Sequence, residues 1–398
     1  MAWKKRQVPR VLLLVETSGH VGRAMIKGIA RYAMDRGPWS IQFEHRALDS
    51  STPSWLKEWR GDGIISRTAD IGSAKLLQAT GVPVVELYGL PDFGMPQVSV
   101  DRTMAARMIV DHFVDCGLRH FAHFGYEETQ ATIPLQNALD RSLAGRGFKC
   151  NYFRAPAAKH VLPQWHEQMR PHLLKWLRSL PRPIGVLGHG DVHALRLLDA
   201  CRDLKIAVPE EMAILGIGND PVICEAVHPT LSSIDVNAAH IGYEAARLLD
   251  RLMAGKKAPS STAIPPSHIA ARESTDIFII DNAEISQAAR FIREFGCQRN
   301  LDVSRVAEEI GVSRSFLERG FRTYFGRSPK AEIMRIRIGS AKMLLGKSRR
   351  NIESIARTCG FTSVQYFTRA FRREVGMTPY VYRQEQGSTS EQDEATAY

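Results

Sequence analysis

Two different apolar periods divide the chain. Up to about residue 272, short continuous apolar runs alternate with stretches in which apolar residues recur every three or four positions. The run VLLLV at 11–15 suits a strand buried on both faces. A polar loop at 16–22 follows, then a helical stretch at 23–35 with Met25, Ile26, Ile29, Ala30 and Ala33 at helical spacing. Further strands are expected at 41–43, 62–66, 83–87, 98–100, 120–125, 185–187 and 212–216, and an extended return at 263–271. Helices are expected at 55–60, 74–80, 103–116, 135–145, 165–177, 192–203 and 241–253. This alternation implies a mostly parallel sheet with helices on both faces. Gly125 reads as the hinge to a second such unit. The first part of the chain is therefore expected to be an α/β domain of two lobes, with a ligand held at the carboxyl ends of the strands.

From residue 282 the strand signal stops and only helical spacing remains. Residues 352–358 form a short helix with Ile352, Ile355 and Ala356 on one face, ended by Gly360. A second helix starts at Thr362 or Ser363, either able to accept from free first-turn amides. It buries Phe367, Ala370 and Phe371 and leaves Ser363, Gln365, Tyr366, Arg369 and Arg372 towards solvent. A small buried helix joined through a glycine turn to a cationic one is a helix-turn-helix, whose second helix fits the DNA major groove. The pattern occurs twice. Ala307 and Gly311 precede Ala356 and Gly360 by 49 residues, and Phe321, Gly326 and Pro329 precede Phe371, Gly376 and Pro379 by 50. The one-residue slip is expected inside the second recognition helix. An apolar-rich helix at 331–345, roughly 22 Å long, connects the units and could hold the recognition helices about one DNA turn apart.

Charge sharpens this picture. Residues 282–384 carry 20 Lys and Arg against 9 Asp and Glu, so the whole chain's net +11 resides there. Basic charge confined to the helical part is the footprint of phosphate binding. Cys116, Cys150, Cys201, Cys224, Cys297 and Cys359 include no C-x-x-C pair and read as reduced thiols of a cytoplasmic protein. No run reaches the roughly 18 apolar residues of a membrane helix. Residues 385–398 are rich in Ser, Glu and Asp, and disorder is expected there.

The repeated units, with Gly360, Phe361, Tyr366, Phe367, Arg369, Phe371, Gly376, Thr378, Pro379, Tyr382 and Arg383 in signature positions, resemble the DNA-binding domain of the AraC/XylS regulators. The earlier part is similar to the LacI/GalR and periplasmic sugar-binding proteins. The landmarks are Asp62 to Ile65, Val82 to Val85, Val100 with Asp101, Val208 with Pro209, Ala213 to Ile217 and Gly242 to Ala246. This order of domains, joined through Arg272 to Asp276, resembles the XylR-type regulators. The resemblance implies a periplasmic-binding-protein-like domain at 9–272, a linker at 273–281 and an all-α domain with two helix-turn-helix motifs at 282–384. It further implies a small sugar effector, xylose or a related pentose, double-stranded DNA as partner, a homodimer, an activator's role and RNA polymerase as a further contact.

In such a cleft a sugar stacks on an aromatic ring while its hydroxyls meet carboxylates, amides and arginines. Matching the landmarks puts Asp101 first and Asp191 second as effector contacts. Glu16, His20 and Arg23 lie in or just after the first strand–helix loop, and Trp165 is a stacking ring or a core residue. Two positions depart from the family pattern: Gly218 stands where an aspartate is usual, leaving Asn219 or Asp220 to substitute, and Gly190 where a polar residue is common. In the DNA domain, Ser313, Arg314 and Ser315 open the first recognition helix, with Glu318 and Arg319 a turn on. Arg314, Gln365 and Arg369 are candidates for base reading and Arg322 or Arg372 for phosphate, with Thr362, Ser363 and Tyr366 beside them. His189 and His193 have helical ligand spacing but no third partner, so no metal is expected. Gly188 to Gly190 lacks a dinucleotide fingerprint, and neither a Gly-x-Ser-x-Gly nor a P-loop occurs. Glu127 and Glu128 are adjacent and so do not face one another. No catalytic motif and no cofactor follow; the alternatives are a first domain that only dimerises or binds a non-sugar ligand and, behind that, one that acts on a sugar as an enzyme.

Overall fold

A computed structural model of the chain describes residues 8–47, 50, 52–67, 71–89, 94–126, 132–155, 169–277, 282–347 and 350–387. The strands are β1 (Arg10–Leu14), β2 (Ser40–Phe43), β3 (Gly63–Ser66), β4 (Val84–Glu86), β5 (Gln97–Val100) and β6 (His120–Tyr126). They continue with β7 (Cys150–Ala155), β8 (Ile184–Gly188), β9 (Met212–Ile217), β10 (Ser232–Asp235), β11 (Ser261–Ile264) and β12 (His268–Ala270). Two six-stranded sheets result, ordered β11-β5-β4-β3-β1-β2 and β12-β10-β9-β8-β6-β7. Only the β10–β12 pairing is antiparallel among the described strand pairs.

Because side chains alternate across a strand, β1 sends Val11 and Leu13 to one apolar layer and Leu12 and Leu14 to the other. The second sheet does the same, with Val186 and Ile214 on one side and Leu187, Ala213 and Leu215 on the other. The chain passes between lobes after β5, after β10 and after β11. Gly125 is therefore not the hinge. It sits inside β6, and the first crossing is the helix Arg102–Asp115. That helix starts at the end of β5 in the first lobe, yet buries Ala105, Ala106, Ile109, Val110 and Phe113 against the second. The extended return at 263–271 is likewise two strands in different sheets, β11 and β12.

The remaining helices Ala283–Phe295, Val303–Ile310, Arg314–Phe325, Pro329–Lys347, Ile352–Thr358, Val364–Val375 and Pro379–Gly387 form the all-α part. The connector Pro329–Lys347 shows why one-sided apolar spacing is weak there. Ile333 belongs to the first unit's core, while Met334, Ile338, Ala341 and Leu345 belong to the second's. Its Arg337 is 8% exposed and donates to the carbonyls of Gly296 (2.9 Å), Gln298 (2.9 Å) and Leu301 (3.0 Å), which ties the first unit to the connector. The last helix continues to Gly387, three residues into the stretch expected to be disordered. Among the described residues, no helix is long and apolar enough to cross a membrane.

Candidate effector cleft and DNA interface

The parallel strands of each lobe end along one edge, and the loops after them meet where Gly218, beyond β9, approaches Val21, beyond β1. In the first lobe, Glu16 follows β1, is 4% exposed and pairs with Arg67, which follows β3. The Arg67 guanidinium lies 4.9 Å from the centre of the Tyr88 ring, beyond β4, a cation–π contact. Glu86 accepts from the amides of Tyr88 (2.6 Å) and Gly89 (2.7 Å), and Arg102 donates to the Gly89 carbonyl (3.0 Å) and that of Tyr88. Asp101 caps the crossing helix, its Oδ1 accepting from the Met104 amide at 2.9 Å. His20 begins the helix His20–Arg36 and is half-buried. Arg23 is exposed and folds onto its own loop, donating to the carbonyls of Thr17 and Ser18, each at 2.9 Å.

The second lobe supplies His189, whose Nδ1 is 3.2 Å from Nε2 of the fully buried His123. Burial, with the Arg102 charge of the facing lobe nearby, pushes His189 down to about 4, so its ring is neutral at pH 7. His189 precedes the helix Asp191–Leu204 rather than lying on it, so His189 and His193 do not share a helix face as their spacing suggested. Asp191 is 5% exposed, and both its oxygens are engaged: Oδ1 accepts from Ser233 Oγ at 2.5 Å and Oδ2 from the Asp220 amide at 2.7 Å. Burial pushes its carboxyl up, opposed by those two hydrogen bonds. Asn219, in the left-handed region at φ 54°, donates from its amide to Ser233 Oγ (2.9 Å) and accepts from Arg272 (3.0 Å) at its Oδ1. Gly218 has φ 124°, and a Cβ there would lie 3.1 Å from Asp191 Oδ2 and 3.2 Å from Val21 Cγ2 of the other lobe. The loop after β9 is thus fastened from beneath by Asp191 and faces the first lobe at Gly218. Trp165, Glu127 and Glu128 lie outside the described residues.

Arg67, Tyr88, Arg102, His123 and His189 were not singled out as cleft residues from the sequence. The signal was available for most of them: Arg67, Tyr88, Arg102 and His189 each stand one or two residues beyond a strand.

The two helix-turn-helix units repeat in detail. In the first, Asp302 caps Val303–Ile310 (Oδ1 to the Arg305 amide, 2.9 Å), and Ser313 caps Arg314–Phe325 (Oγ to the Phe316 amide, 3.1 Å). In the second, Asn351 caps Ile352–Thr358 (2.7 Å to the Ser354 amide), and Ser363 caps Val364–Val375 (3.2 Å to the Tyr366 amide). Ser363, not Thr362, is therefore the cap. The caps also relocate the slip. Ser313 and Ser363 are already 50 apart while Gly311 and Gly360 are 49 apart, so the extra residue lies in the second turn and not in its recognition helix. Ser315, Arg319 and Arg322 consequently match Gln365, Arg369 and Arg372, each set spaced i, i+4, i+7 on one face. All six are exposed, as are Ser313, Arg314, Thr362 and Ser363, while Leu317, Phe321, Phe367 and Phe371 on the opposite faces are fully buried. Tyr366 is half-buried, its ring 5.9 Å from that of Phe361.

A periplasmic binding protein-like domain model matches residues 110–275, and a helix-turn-helix domain model matches 306–385. The xylose operon regulatory protein of Haemophilus influenzae is 30% identical over 387 residues, covering 95% of this chain and 98% of that protein. The chain belongs to the xylose operon regulator family. A second member, from Escherichia coli, is 28% identical over 94% of this chain and 96% of its own length. A solved structure described as the xylose-binding transcription activator XylR aligns with a TM-score of 0.59 at 26% identity, over 95% of this chain and 98% of that one. Membership settles the coarse assignment. The chain is a DNA-binding transcription regulator, not an enzyme, with a periplasmic-binding-protein-like domain ahead of an AraC-type helix-turn-helix domain.

Proposed function

We propose that the effector is D-xylose or a related pentose, held between the lobes, and that it controls genes of pentose use. Whole-length likeness to a xylose operon regulatory protein, through both domains and in the same order, carries this reading. The cleft offers suitable chemistry: Asp101 and the Glu16–Arg67 pair for hydroxyls, His189 near the Arg102 charge, and Tyr88 as a stacking ring, with Trp165 a candidate ring from the sequence alone. His20 and Arg23 border the same mouth. Asp191 is assigned to holding the loop after β9, since both its oxygens are engaged, while Asn219 is held through its backbone amide and Oδ1 and offers its side-chain Nδ2 to a hydroxyl. Effector binding draws the lobes together and shifts the population of DNA-competent states. In DNA binding, Arg314, Gln365 and Arg369 read bases and Arg322 and Arg372 hold phosphates, with Ser313, Ser315, Arg319, Thr362, Ser363 and Tyr366 flanking them. The working form is a cytoplasmic homodimer acting as an activator that meets RNA polymerase. Exposed Val192 (48%) and Val222 (73%), on helices that touch one another, support a self-association face.

A second reading draws on Gly190 and Gly218. Neither can present a side chain to a hydroxyl, and a site lacking one hydrogen-bond partner discriminates differently. The ligand is then a different sugar or a non-sugar, or the domain only dimerises. Thermal shift of the full chain against pentoses and hexoses separates these readings. At a hundred times Kd a ligand adds about 2.7 kcal/mol. A D-xylose shift that falls in Asp101→Asn, which keeps a helix cap while removing the charge, supports the first reading. A shift with a different sugar alone, or with none, supports the second.

A further inference from the structure

The helix Arg102–Asp115 touches both functional regions. Its first residues form part of the cleft wall: Asp101 caps it, and Arg102 binds the loop after β4. About 21 Å away at 1.5 Å per residue, its last turn meets the DNA-binding domain. Asp115 Oδ1 accepts from Arg327 Nη1 at 2.6 Å, with the two side chains 16% and 22% exposed. Arg327 stands between Gly326, which ends the first recognition helix, and Pro329, which begins the connector. Its Nε donates to Glu332 (2.5 Å), and Glu332 is held from the other side by Arg335 (2.6 and 2.9 Å). One turn before Asp115, His112 Nε2 is 2.9 Å from Thr275 Oγ1 in the linker, and the next residue, Asp276, accepts from Arg293 of the helix Ala283–Phe295 at 2.5 Å. The recognition faces stay exposed, so these contacts set the position of the DNA-binding domain without covering it.

We propose that the Asp115–Arg327 contact is the coupling joint of the molecule, with the helix Arg102–Asp115 as a rod that carries motion of the cleft to the hinge between first recognition helix and connector. Three features support it. The rod is packed along its length into the second lobe's core, so it moves with that lobe as a unit. Its head is anchored on a loop of the first lobe, so relative motion of the lobes must tilt or strain it. Its foot holds a side chain at the one point where the first recognition helix and the connector share a backbone joint. A nearly buried ion pair is also strongly geometry-dependent, so a small displacement changes its strength.

The proposal deepens the effector reading, and its test keeps the two separable. Full-length wild type, Asp115→Asn, Asp115→Glu and Arg327→Gln are compared on a DNA fragment selected from a random pool by the wild-type chain. In one arm DNA affinity is measured with and without D-xylose. Allosteric coupling is typically about 5- to 150-fold. The wild type should fall in that range and Asp115→Asn and Arg327→Gln within about twofold of no effect, while D-xylose binds their DNA-free forms as in wild type. Asp115→Glu should retain part of the coupling. In the other arm no sugar is present, and amide hydrogen exchange of residues 102–115 is followed on adding DNA. The wild type should change its exchange there, and Asp115→Asn and Arg327→Gln should not. If D-xylose leaves wild-type affinity unchanged, the effector reading fails and the exchange arm alone decides. An exchange response equal in wild type and both uncoupling variants, or absent in wild type, overturns the joint. So does undiminished sugar coupling in cooperatively folded Asp115→Asn.

Discussion

Two turn glycines, equivalent in the repeat but different in surroundings, offer a controlled perturbation. Gly311 has φ 77° with nothing within 4 Å of where a Cβ would stand. Gly360 has φ 79°, but a Cβ would lie 2.5 Å from the Cys297 carbonyl oxygen, 2.9 Å from its carbon and 3.0 Å from Arg337 Nε. Placing alanine in the left-handed region costs about 1–2 kcal/mol, partly offset by about 0.4–1 kcal/mol from the less free unfolded chain. Gly311→Ala should therefore cost about 1 kcal/mol. Gly360→Ala adds a clash with backbone, which no side-chain rotation relieves. Overpacking of this kind costs about 1–3 kcal/mol, for about 2–4 kcal/mol in all. For a domain near 100 residues, 1 kcal/mol moves the midpoint by roughly 4–8 °C. The assay is calorimetry of the full chain, following the transition that bound DNA raises. Gly360→Ala should lower that transition by at least twice as much as Gly311→Ala. Equal shifts, or a larger one for Gly311→Ala, would refute the close approach of the second turn to the Cys297 carbonyl.

Other perturbations follow from the same geometry. Gln365→Ala should relax sequence preference at one base position by about 1–3 kcal/mol, read by binding to a panel of single-base variants; equal loss on every sequence would count against base contact. Arg372→Ala should weaken binding to all sequences alike and reduce the salt slope by about 1, measured by titration at several salt concentrations. Asp191→Ala should destabilise the effector domain by about 2–6 kcal/mol, since it strands the Ser233 hydroxyl and the Asp220 amide at about 1–3 kcal/mol each; an unchanged melt would show the loop is held otherwise. Acidification should lower the folding stability of the elements on both sides of the joint between domains. Arg335 and Arg327 outweigh burial to hold Glu332 down at about 2, so its contribution is present above 4.5 and lost as pH falls from 4.5 towards 2. Burial holds His112 down at about 3, so folding stability from this group also falls as pH drops below 6.5. Melts from pH 7.5 to 4 should show a decline that His112→Asn reduces.

Periodicity exposed both sheets and both recognition helices because apolar alternation and helical spacing are local properties. The connector was harder. Ile333 and Ile338 face different cores, so its apolar residues form no single stripe. The lobe boundary was misplaced at Gly125 because a crossing helix and an ordinary one read alike; only sheet membership separates them. The slip in the repeat was misassigned because matching glycines and phenylalanines bracket it without locating it, whereas the serine caps fix it in the turn. In the cleft, Asp191 has the residue type of a hydroxyl partner, yet the structure engages both its oxygens with Ser233 and Asp220. Those partners are 42 and 29 residues away, a distance sequence spacing cannot bridge. The Asp115–Arg327 pair spans 212 residues and left no sequence trace at all.

The measurement that bears most directly on a sugar-controlled DNA regulator is the affinity of the full chain for its selected DNA fragment, by fluorescence anisotropy, with D-xylose and with a panel of other pentoses and hexoses. A change of about fivefold or more with D-xylose or a close pentose, and none with the hexoses, is the expected result. Tight, sequence-specific DNA binding that no sugar alters would contradict the account and leave a regulator whose first domain answers to something else.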